Sequence, residues 1–321
     1  MTNKIPEEQT NKSTLSQSGQ DERFTTAQAH SPGRLVLKRL FRNKLAIVGM
    51  VIIGIVVFTA IFAPVLAKQT PDKNGIFKTY LRETKISPSL EYPMGTDDLG
   101  RDMFSLIIYG SRISIRIGFF SVGLAIMIGV ILGALSGYFG GATDNIIMRL
   151  MDIMLAFPSI LLALVVVAVI GPGLLNAMIA VGIVSIPTYA RITRASVLSE
   201  SFREYVQASR ALGANSFRIL VQHILPNALS PIIVAASLGV ATAILDAAGL
   251  GFLGLGAQPP TPEWGLLLSR NKSHIFTSPW MVIFPGVSIM FLVLGFNLLG
   301  DGLRDALDPR LSNVGVKAPK L

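Results

Sequence analysis

The strongest constraint on this chain is a set of long apolar runs without a charged residue. The first run, Leu45–Ala67, has 23 residues, none of them charged. At about 1.5 Å of rise per residue, a helix of this length crosses the roughly 30 Å hydrocarbon layer of a bilayer. Similar runs cover Ile117–Thr143, Ile153–Ala190, Ile219–Leu245 and Ile275–Gly300. Because only 15% of the residues are charged, the chain is not an ordinary soluble domain, and an all-α membrane protein is predicted.

The run Ile153–Ala190 has 38 residues and is too long for one membrane helix. Gly171-Pro172-Gly173 interrupts it, and such a sequence is typical of a tight turn. We therefore predict two helices there, of about 18 and 17 residues, and six membrane helices in total. Pro158 should kink the first of the two, because proline removes an internal hydrogen bond.

Basic residues at the ends of the apolar runs predict the orientation. The collar before the first run consists of Arg34, Lys38, Arg39, Arg42 and Lys44. A second group consists of Arg191, Arg194, Arg203, Arg210 and Arg218, and a third of Arg304, Arg310, Lys317 and Lys320. Since positive residues favour the cytoplasmic side, both termini and the second group should be cytoplasmic, in a bacterial cytoplasmic membrane. This clustering accounts for the net charge of +9 without a nucleic-acid partner.

The chain divides into four predicted regions. Residues 1–32 are rich in Gln, Ser, Thr and Glu and predict a disordered cytoplasmic tail. Residues 33–112 hold the first membrane helix, at about 45–67, and an extracytoplasmic loop. Residues 113–303 hold five membrane helices and a cytoplasmic loop at 195–227, and residues 304–321 form a cytoplasmic tail. A second extracytoplasmic loop, rich in Gly and Pro, is predicted at Gly249–Trp264.

The polar stretch Glu204–Asn227 predicts two short amphipathic helices at an angle. Ser201 and Glu204 have capping-box spacing, and Gly213 stands where a helix needs a left-handed residue to end. Asn215 or Ser216 can cap a second helix, which Pro226 should end. The first predicted apolar stripe is Phe202, Tyr205, Val206, Ser209 and Leu212, and the second is Phe217, Leu220, Val221 and Ile224.

This stretch resembles the cytoplasmic coupling loop of importer-type ABC transporter permeases. That family has Glu-Ala-Ala, three residues, Gly, nine residues and Ile-x-Leu-Pro. The pattern falls on Gln207-Ala208-Ser209, on Gly213 and on residues 223–226, with Gln207 in place of Glu and His223 in place of Ile. The short sequences around this pattern resemble those of the dipeptide/oligopeptide/nickel branch. Further short motifs that resemble this branch are residues 41–46, 94–102, 252–256, 259–262 and 301–310. The resemblance therefore covers about residues 34–312.

The resemblance implies a type I ABC importer permease with a MetI-like fold. It implies a homologous second permease, two ABC ATPase subunits, an extracytoplasmic solute-binding protein and a peptide substrate, all in contact with membrane lipid. ATP would bind to the ATPase subunits, and no cofactor to this chain. The implied coupling residues are Glu204, Tyr205, Gln207, Ala208, Ser209, Gly213, Leu225 and Pro226. The 94–102 segment should be structural, with Arg101 pairing with a neighbouring carboxylate; a substrate contact is the alternative.

Several alternatives stay open at this point. The helix pair could lie on the membrane surface without a partner. The substrate could be nickel or another small solute. An ion-gradient-driven transporter would need paired intramembrane carboxylates or an inverted repeat, and the sequence shows only Asp246 and no clear repeat. A non-transporting membrane scaffold or receptor is the remaining alternative.

Two features inside the predicted spans are functional candidates. Asp246 is an intramembrane carboxylate, which marks either a polar site or a solvated membrane edge. Gly129, Gly133 and Gly137 recur every four residues and so share one helix face, where small residues let two helices approach closely.

Motifs for catalysis or metal binding are missing from the sequence. It has no cysteine, and its three histidines are far apart. Neither a phosphate-binding Gly-x-x-x-x-Gly-Lys-Ser/Thr loop nor a His-Glu-x-x-His sequence occurs. We therefore expect a transport subunit that is not itself an enzyme and binds no metal.

Overall fold

The computed structural model describes residues 32–307, and this part of the chain is helical. The helices are α1 Pro32–Leu40, α2 Lys44–Ile61, α3 Ala63–Leu66, α4 Met103–Phe139, α5 Gly141–Leu155, α6 Ser159–Ile170, α7 Leu174–Ser201, α8 Glu204–Ala211, α9 Ser216–Arg218, α10 Leu225–Phe252, α11 Trp264–Asn271 and α12 Trp280–Leu307. Short 3₁₀ turns cover Leu81–Glu83 and Lys272–His274, and Ile219–Ile224 is π-helical. The predicted tails, apart from Pro32 and residues 304–307, lie outside the described residues.

The predicted all-α membrane fold is confirmed. In the described part, five helices are long and apolar enough to cross a membrane, and the count is six if a bent pair of helices is one broken span. The bend separates α5 from α6 by 94° at residues 156–158. Pro158 therefore breaks the helix, where the sequence predicted a kink. Helix α6 has 12 residues and α7 has 28, in place of the expected 18 and 17.

Helices α4 and α7 pack closely along the glycine face of α4. A Cβ atom built on Gly129 would lie 2.9 Å from the Ile186 carbonyl oxygen of α7, and one on Gly137 would lie 2.7 Å from the Arg194 oxygen. Gly133, between them, meets the backbone of α7 at Ala190. The absence of side chains lets these two backbones approach.

A second close contact joins α2 to α12. A Cβ atom on Gly49 would lie 2.7 Å from the Gly295 carbonyl oxygen, and Gly302 faces Ala46. Near this contact, Leu40 and Ala306 are buried together, so α1 also rests on α12. No sequence pattern indicated this contact, since its glycines lie on two different helices.

Helix α4 begins at Met103, well before the expected end of the loop at residue 112. The Asp102 side chain caps it by accepting a hydrogen bond from the Ser105 N–H at 3.0 Å. Arg112 lies inside this helix, although its charge had placed it in the predicted loop. Its guanidinium donates to the carbonyl oxygens of Ala60 and Ile61, which end α2 and have no helical partner there.

Two further predicted boundaries were wrong. Helix α10 continues to Phe252, past the expected loop start at Gly249, and α12 begins at Trp280 and not at Ile275. In addition, Trp264–Asn271 forms a short helix where the predicted loop ended.

The bundle has two ends of different character. We call one of them the basic end. It carries residues 191–227, α1 and the C-terminal end of α12. The opposite end carries residues 67–102, which we call the lobe, and residues 253–279. The N-terminal and C-terminal parts of the described chain meet at the basic end, where the Asn43 amide donates to the Asp305 carboxylate at 3.1 Å.

Buried polar contacts fix the opposite end. In the lobe, the guanidinium of Arg101 pairs with the Asp97 carboxylate at 2.6 Å, and both side chains are buried, as the sequence predicted for Arg101. The Trp280 indole N–H donates to the Thr96 carbonyl oxygen at 3.1 Å and ties the lobe to α12. The buried Glu263 carboxylate accepts from the N–H groups of Gly265 and Leu266, both at 2.7 Å, and caps α11.

Candidate coupling site

The coupling segment, residues 195–227, begins with the last turns of α7. The Ser201 hydroxyl donates to the Leu198 carbonyl oxygen at 2.8 Å, within α7. Arg203 is the N-cap of α8, and its side chain makes no capping bond. The predicted capping box of Ser201 and Glu204 was therefore wrong, because the serine is still part of the preceding helix.

Gly213 forms the corner between α8 and α9. Its φ angle is +80°, in the left-handed region that glycine adopts without steric strain. The Ala214 N–H donates to the Ser209 carbonyl oxygen at 3.1 Å and the Gly213 N–H to Arg210 at 2.9 Å, which is the Schellman arrangement. Asn215 then caps α9 through its side-chain oxygen, which accepts from the Arg218 N–H at 2.8 Å.

The second half of the segment is continuous with a membrane helix. Ile219–Ile224 is π-helical and passes directly into α10 at Leu225. The expectation that Pro226 ends a separate helix was wrong. Pro226 stands in the first turn of α10, where a missing N–H disturbs the hydrogen bonding least.

A small apolar cluster anchors the segment to the bundle. Val206 of α8 and Ile219 and Ile224 of the π-helical turn are buried against Ala134 of α4 and Val197 of α7. Close packing of this kind has few alternative arrangements. The segment and the adjoining ends of α4, α7 and α10 should therefore move as one body.

A polar network closes the same junction. The Tyr205 hydroxyl donates to the Glu200 carboxylate at 2.7 Å and accepts from the Asn227 amide at 3.1 Å. Burial and the neighbouring Glu200 raise the pKa of Tyr205. The Gln207 amide donates to the Ser201 carbonyl oxygen at 3.1 Å. These bonds join α7, α8 and α10.

The tip of the segment exposes large apolar side chains. Leu212 is 88% exposed, Phe217 76% and Phe202 75%. Tyr205 and Ala208 are exposed as well, whereas Val206 of the same predicted stripe is buried. Large unpaired apolar side chains on a rigid support are typical of a surface that receives a partner.

The tip includes residues that the sequence reasoning did not assign to docking. Phe202 and Phe217 were placed on internal stripes, and nothing in their spacing distinguishes them from the buried Val206. Of the implied coupling residues, Glu204, Gln207, Gly213 and Pro226 are exposed, and Ser209 and Leu225 are half-buried. The helical stripe alone does not show which side of a short helix the bundle covers.

Asp246 lies apart from the coupling segment, near the C-terminal end of α10. It is half-buried, and its side chain makes no hydrogen bond or salt bridge within residues 32–307. Within the same residues, no group of three His, Cys, Asp or Glu side chains could hold a metal ion.

Comparisons with known proteins agree with this architecture. Residues 125–313 match the family described as binding-protein-dependent transport system inner membrane component. Residues 31–87 match the N-terminal TM domain of oligopeptide transport permease C.

Curated relatives cover most of the chain. The dipeptide transport system permease protein DppC of Alkalihalophilus pseudofirmus is 51% identical over 89% of this chain and 92% of its own length. That of Escherichia coli K12 is 52% identical over 84% and 90%. The di/tripeptide transport system permease protein DppC of Pseudomonas aeruginosa is 46% identical over 88% and 94%.

Solved structures show the same fold. The MetNI methionine ABC transporter in inward-facing conformations matches with a TM-score of 0.54 and 21% identity, over 64% of this chain and 98% of the matched chain. The bundle, the coupling segment and these matches lead to one conclusion: the chain belongs to the family of binding-protein-dependent transport system inner membrane components.

Proposed function

We propose that this chain is a permease subunit of an ATP-driven importer of dipeptides and other short peptides. The substrate class rests on these relatives, whose names specify dipeptides or di/tripeptides. Nickel finds no support among them. The chain itself binds no nucleotide and hydrolyses nothing, in accord with the absence of a phosphate-binding loop from its sequence.

The observation that carries the proposal is the combination of a coupling segment anchored by buried side chains and an exposed apolar tip. Separate ATPase subunits bind the tip formed by Phe202, Leu212 and Phe217. Nucleotide-driven closure of the ATPases moves the coupling segment, and the buried Val206 and Ile219 pass this motion to α4 and α7. The membrane helices then change between outward-open and inward-open forms.

The orientation follows from the same arrangement. The basic end lies in the cytoplasm, where the ATPases are, and the opposite end faces the solute-binding protein. A homologous second permease completes the path. In this arrangement, the arginines of the coupling segment obey the positive-inside preference of short cytoplasmic loops.

Uptake by the reconstituted complex tests the function. The chain, its second permease, both ATPases and the solute-binding protein are placed in proteoliposomes, and uptake of a radiolabelled dipeptide is measured. We expect uptake with ATP and none with a proton or sodium gradient alone. Gly213→Val should abolish coupled uptake, because a β-branched residue disfavours a φ of +80°.

Two results would contradict the proposal. One is dipeptide uptake that a gradient supports without ATP. The other is a Gly213→Val variant that assembles normally and keeps full uptake and full substrate-stimulated ATPase activity.

A further inference from the structure

The turn between α1 and α2 forms one wall of a pocket at the basic end of the bundle. The pocket has a volume of about 240 Å³, and α12 forms its other wall. We call it the elbow pocket; its lining residues are Arg39, Arg42, Asn43, Gly302, Asp305 and Ala306.

Two guanidinium groups in the elbow pocket have most of their hydrogen-bond donors unused. The single polar contact of the Arg39 side chain within the described residues is a long bond of 3.5 Å to the Ala306 carbonyl oxygen. The Arg42 side chain makes no hydrogen bond or salt bridge within the same residues. The Asp305 carboxylate also lines the pocket, but it accepts a hydrogen bond from the Asn43 amide at 3.1 Å. A guanidinium fork matches the oxygens of a phosphate group, so the pocket suits a phosphate.

The surroundings of the pocket are apolar where a lipid would lie. Leu37, Phe41 and Leu45 are all more than half exposed, at 53%, 61% and 62%. Helix α2, which includes Leu45, has the smallest buried share of the five long described spans, at 17%. The exposed apolar surface of α2 therefore extends past the turn onto α1.

Two further cations surround this apolar surface. Lys38 and Lys44 are exposed on either side of the turn. Apolar side chains beneath a group of Lys and Arg are typical of a segment that lies in the membrane interface, with its cations at the level of the headgroups. A soluble phosphate would explain the arginines and leave the exposed Leu37 and Phe41 without a role.

We propose that the elbow pocket binds the phosphate headgroup of an anionic phospholipid. Arg39 and Arg42 hold the phosphate, and Leu37, Phe41 and Leu45 contact the acyl chains. A bound lipid then joins α1 to the end of α12 on the side of the membrane where the coupling segment lies.

Lipid retention measured by native mass spectrometry tests this proposal. The full-length chain in detergent is titrated with phosphatidylglycerol or with phosphatidylcholine, and the bound lipid is counted. Wild-type protein should retain phosphatidylglycerol preferentially. Each cation near a lipid surface contributes about 1 kcal/mol, so Arg42→Gln should weaken retention about fivefold, and the pair Arg39→Gln and Arg42→Gln roughly 25-fold.

A matched variant controls for loss of charge alone. Lys73→Gln with Lys78→Gln removes two exposed cations from the lobe at the opposite end and should retain phosphatidylglycerol as wild type does. Arg42→Gln is informative even if the double variant folds poorly, because its side chain makes no contact that the described fold needs. An excess of inorganic phosphate should not displace the lipid.

Three outcomes would overturn the proposal. Wild-type protein could retain both lipids equally, which would assign the pocket to a protein contact. The two arginine variants could keep wild-type retention of phosphatidylglycerol. Inorganic phosphate could displace the headgroup from the pocket at low concentration, which would identify a site for a soluble anion.

Discussion

The two ends of the bundle each carry a polar segment that contains glycine and arginine, and the two segments turn opposite kinds of side chain to the solvent. At the opposite end, the lobe motif of residues 94–102 turns its charged residues inward, and Asp97 and Arg101 are buried against each other. At the basic end, the coupling segment turns apolar residues outward, and Leu212 is 88% exposed. The lobe motif therefore packs within this chain, whereas we propose that the coupling segment presents its exposed surface to another chain.

Removing one partner of the buried ion pair should have the largest effect. Asp97→Ala leaves the Arg101 guanidinium buried without its carboxylate, and we expect a loss of about 3–5 kcal/mol in stability. Thermal unfolding of the detergent-solubilised protein measures it. Glu91→Ala, which breaks the exposed Lys68–Glu91 pair of 3.0 Å in the same lobe, should change stability by less than about 1 kcal/mol. Equal effects of the two variants would contradict an inward structural role for the lobe motif.

The opposite end should also respond to pH through Glu263. Burial raises the pKa of this carboxyl from 4.5 to about 7 in the folded protein. The folded state therefore holds the proton more tightly than the unfolded state does. The contribution of Glu263 is fully present below pH 4.5 and is lost as the pH rises to 7, by about 3 kcal/mol.

Comparing wild type with Glu263→Gln isolates this contribution. We expect the difference in unfolding temperature between the two proteins to change across pH 4.5–7 and to be constant above that range. A difference that stays constant throughout would show that folding does not raise the pKa of Glu263. Uptake coupling should not follow this titration, because Glu263 is at the end of the bundle away from the coupling segment.

The glycine face that joins α4 to α7 connects the two ends, and its disruption should have an intermediate effect. Gly133→Ala places a methyl group against the α7 backbone at Ala190, and overpacking of this kind costs about 1–3 kcal/mol. Gly123→Ala in the same helix is the control, since no atom lies within 4 Å of its Cβ position. Unfolding temperatures of the two variants should separate clearly; identical values would contradict the close approach of α4 and α7.

The smallest effect on stability is expected at the tip of the coupling segment. Leu212→Ala should change stability by less than about 0.5 kcal/mol, because the side chain is exposed. It should still weaken binding of the ATPase subunits by about 1–2 kcal/mol, as the loss of a central apolar contact does. Val206→Ala, in the same helix α8 and buried, should instead lower the unfolding temperature. A Leu212→Ala variant that binds ATPases normally would remove this residue from the docking surface.

The sequence predicted those parts of the fold that depend on composition along a single helix. Uncharged runs identified the membrane spans, and the regular spacing of Gly129 and Gly137 identified a packing face. The start of α4 was missed because Arg112 interrupts an apolar run, and only the folded chain shows that the carbonyl oxygens at the end of α2 accept its hydrogen bonds. Gly49 and Gly302 were missed because they form a contact only when two distant helices meet.

The position of the helical corner at Gly213 was predicted, but the side chains exposed around it were not. The spacing around Gly213 indicated the corner, since one left-handed residue is enough to end a helix. The exposure of Phe202 and Phe217 could not be predicted, because it depends on which side of α8 and α9 packs on α4 and α7. The prediction that Pro226 ends a helix was wrong for a related reason. The effect of this proline depends on the π-helical turn before it, and no residue pattern predicted that turn.

Site-specific crosslinking in the assembled complex tests the central claim most directly. The chain has no native cysteine, so single cysteines can be placed at Gln207 in the coupling segment and at the fully exposed Leu90 in the lobe. With a short thiol-to-amine crosslinker, we expect Gln207→Cys to capture an ATPase subunit and Leu90→Cys to capture none. An assembled, ATP-hydrolysing complex in which Gln207→Cys captures no ATPase subunit, or in which Leu90→Cys does, would contradict the account.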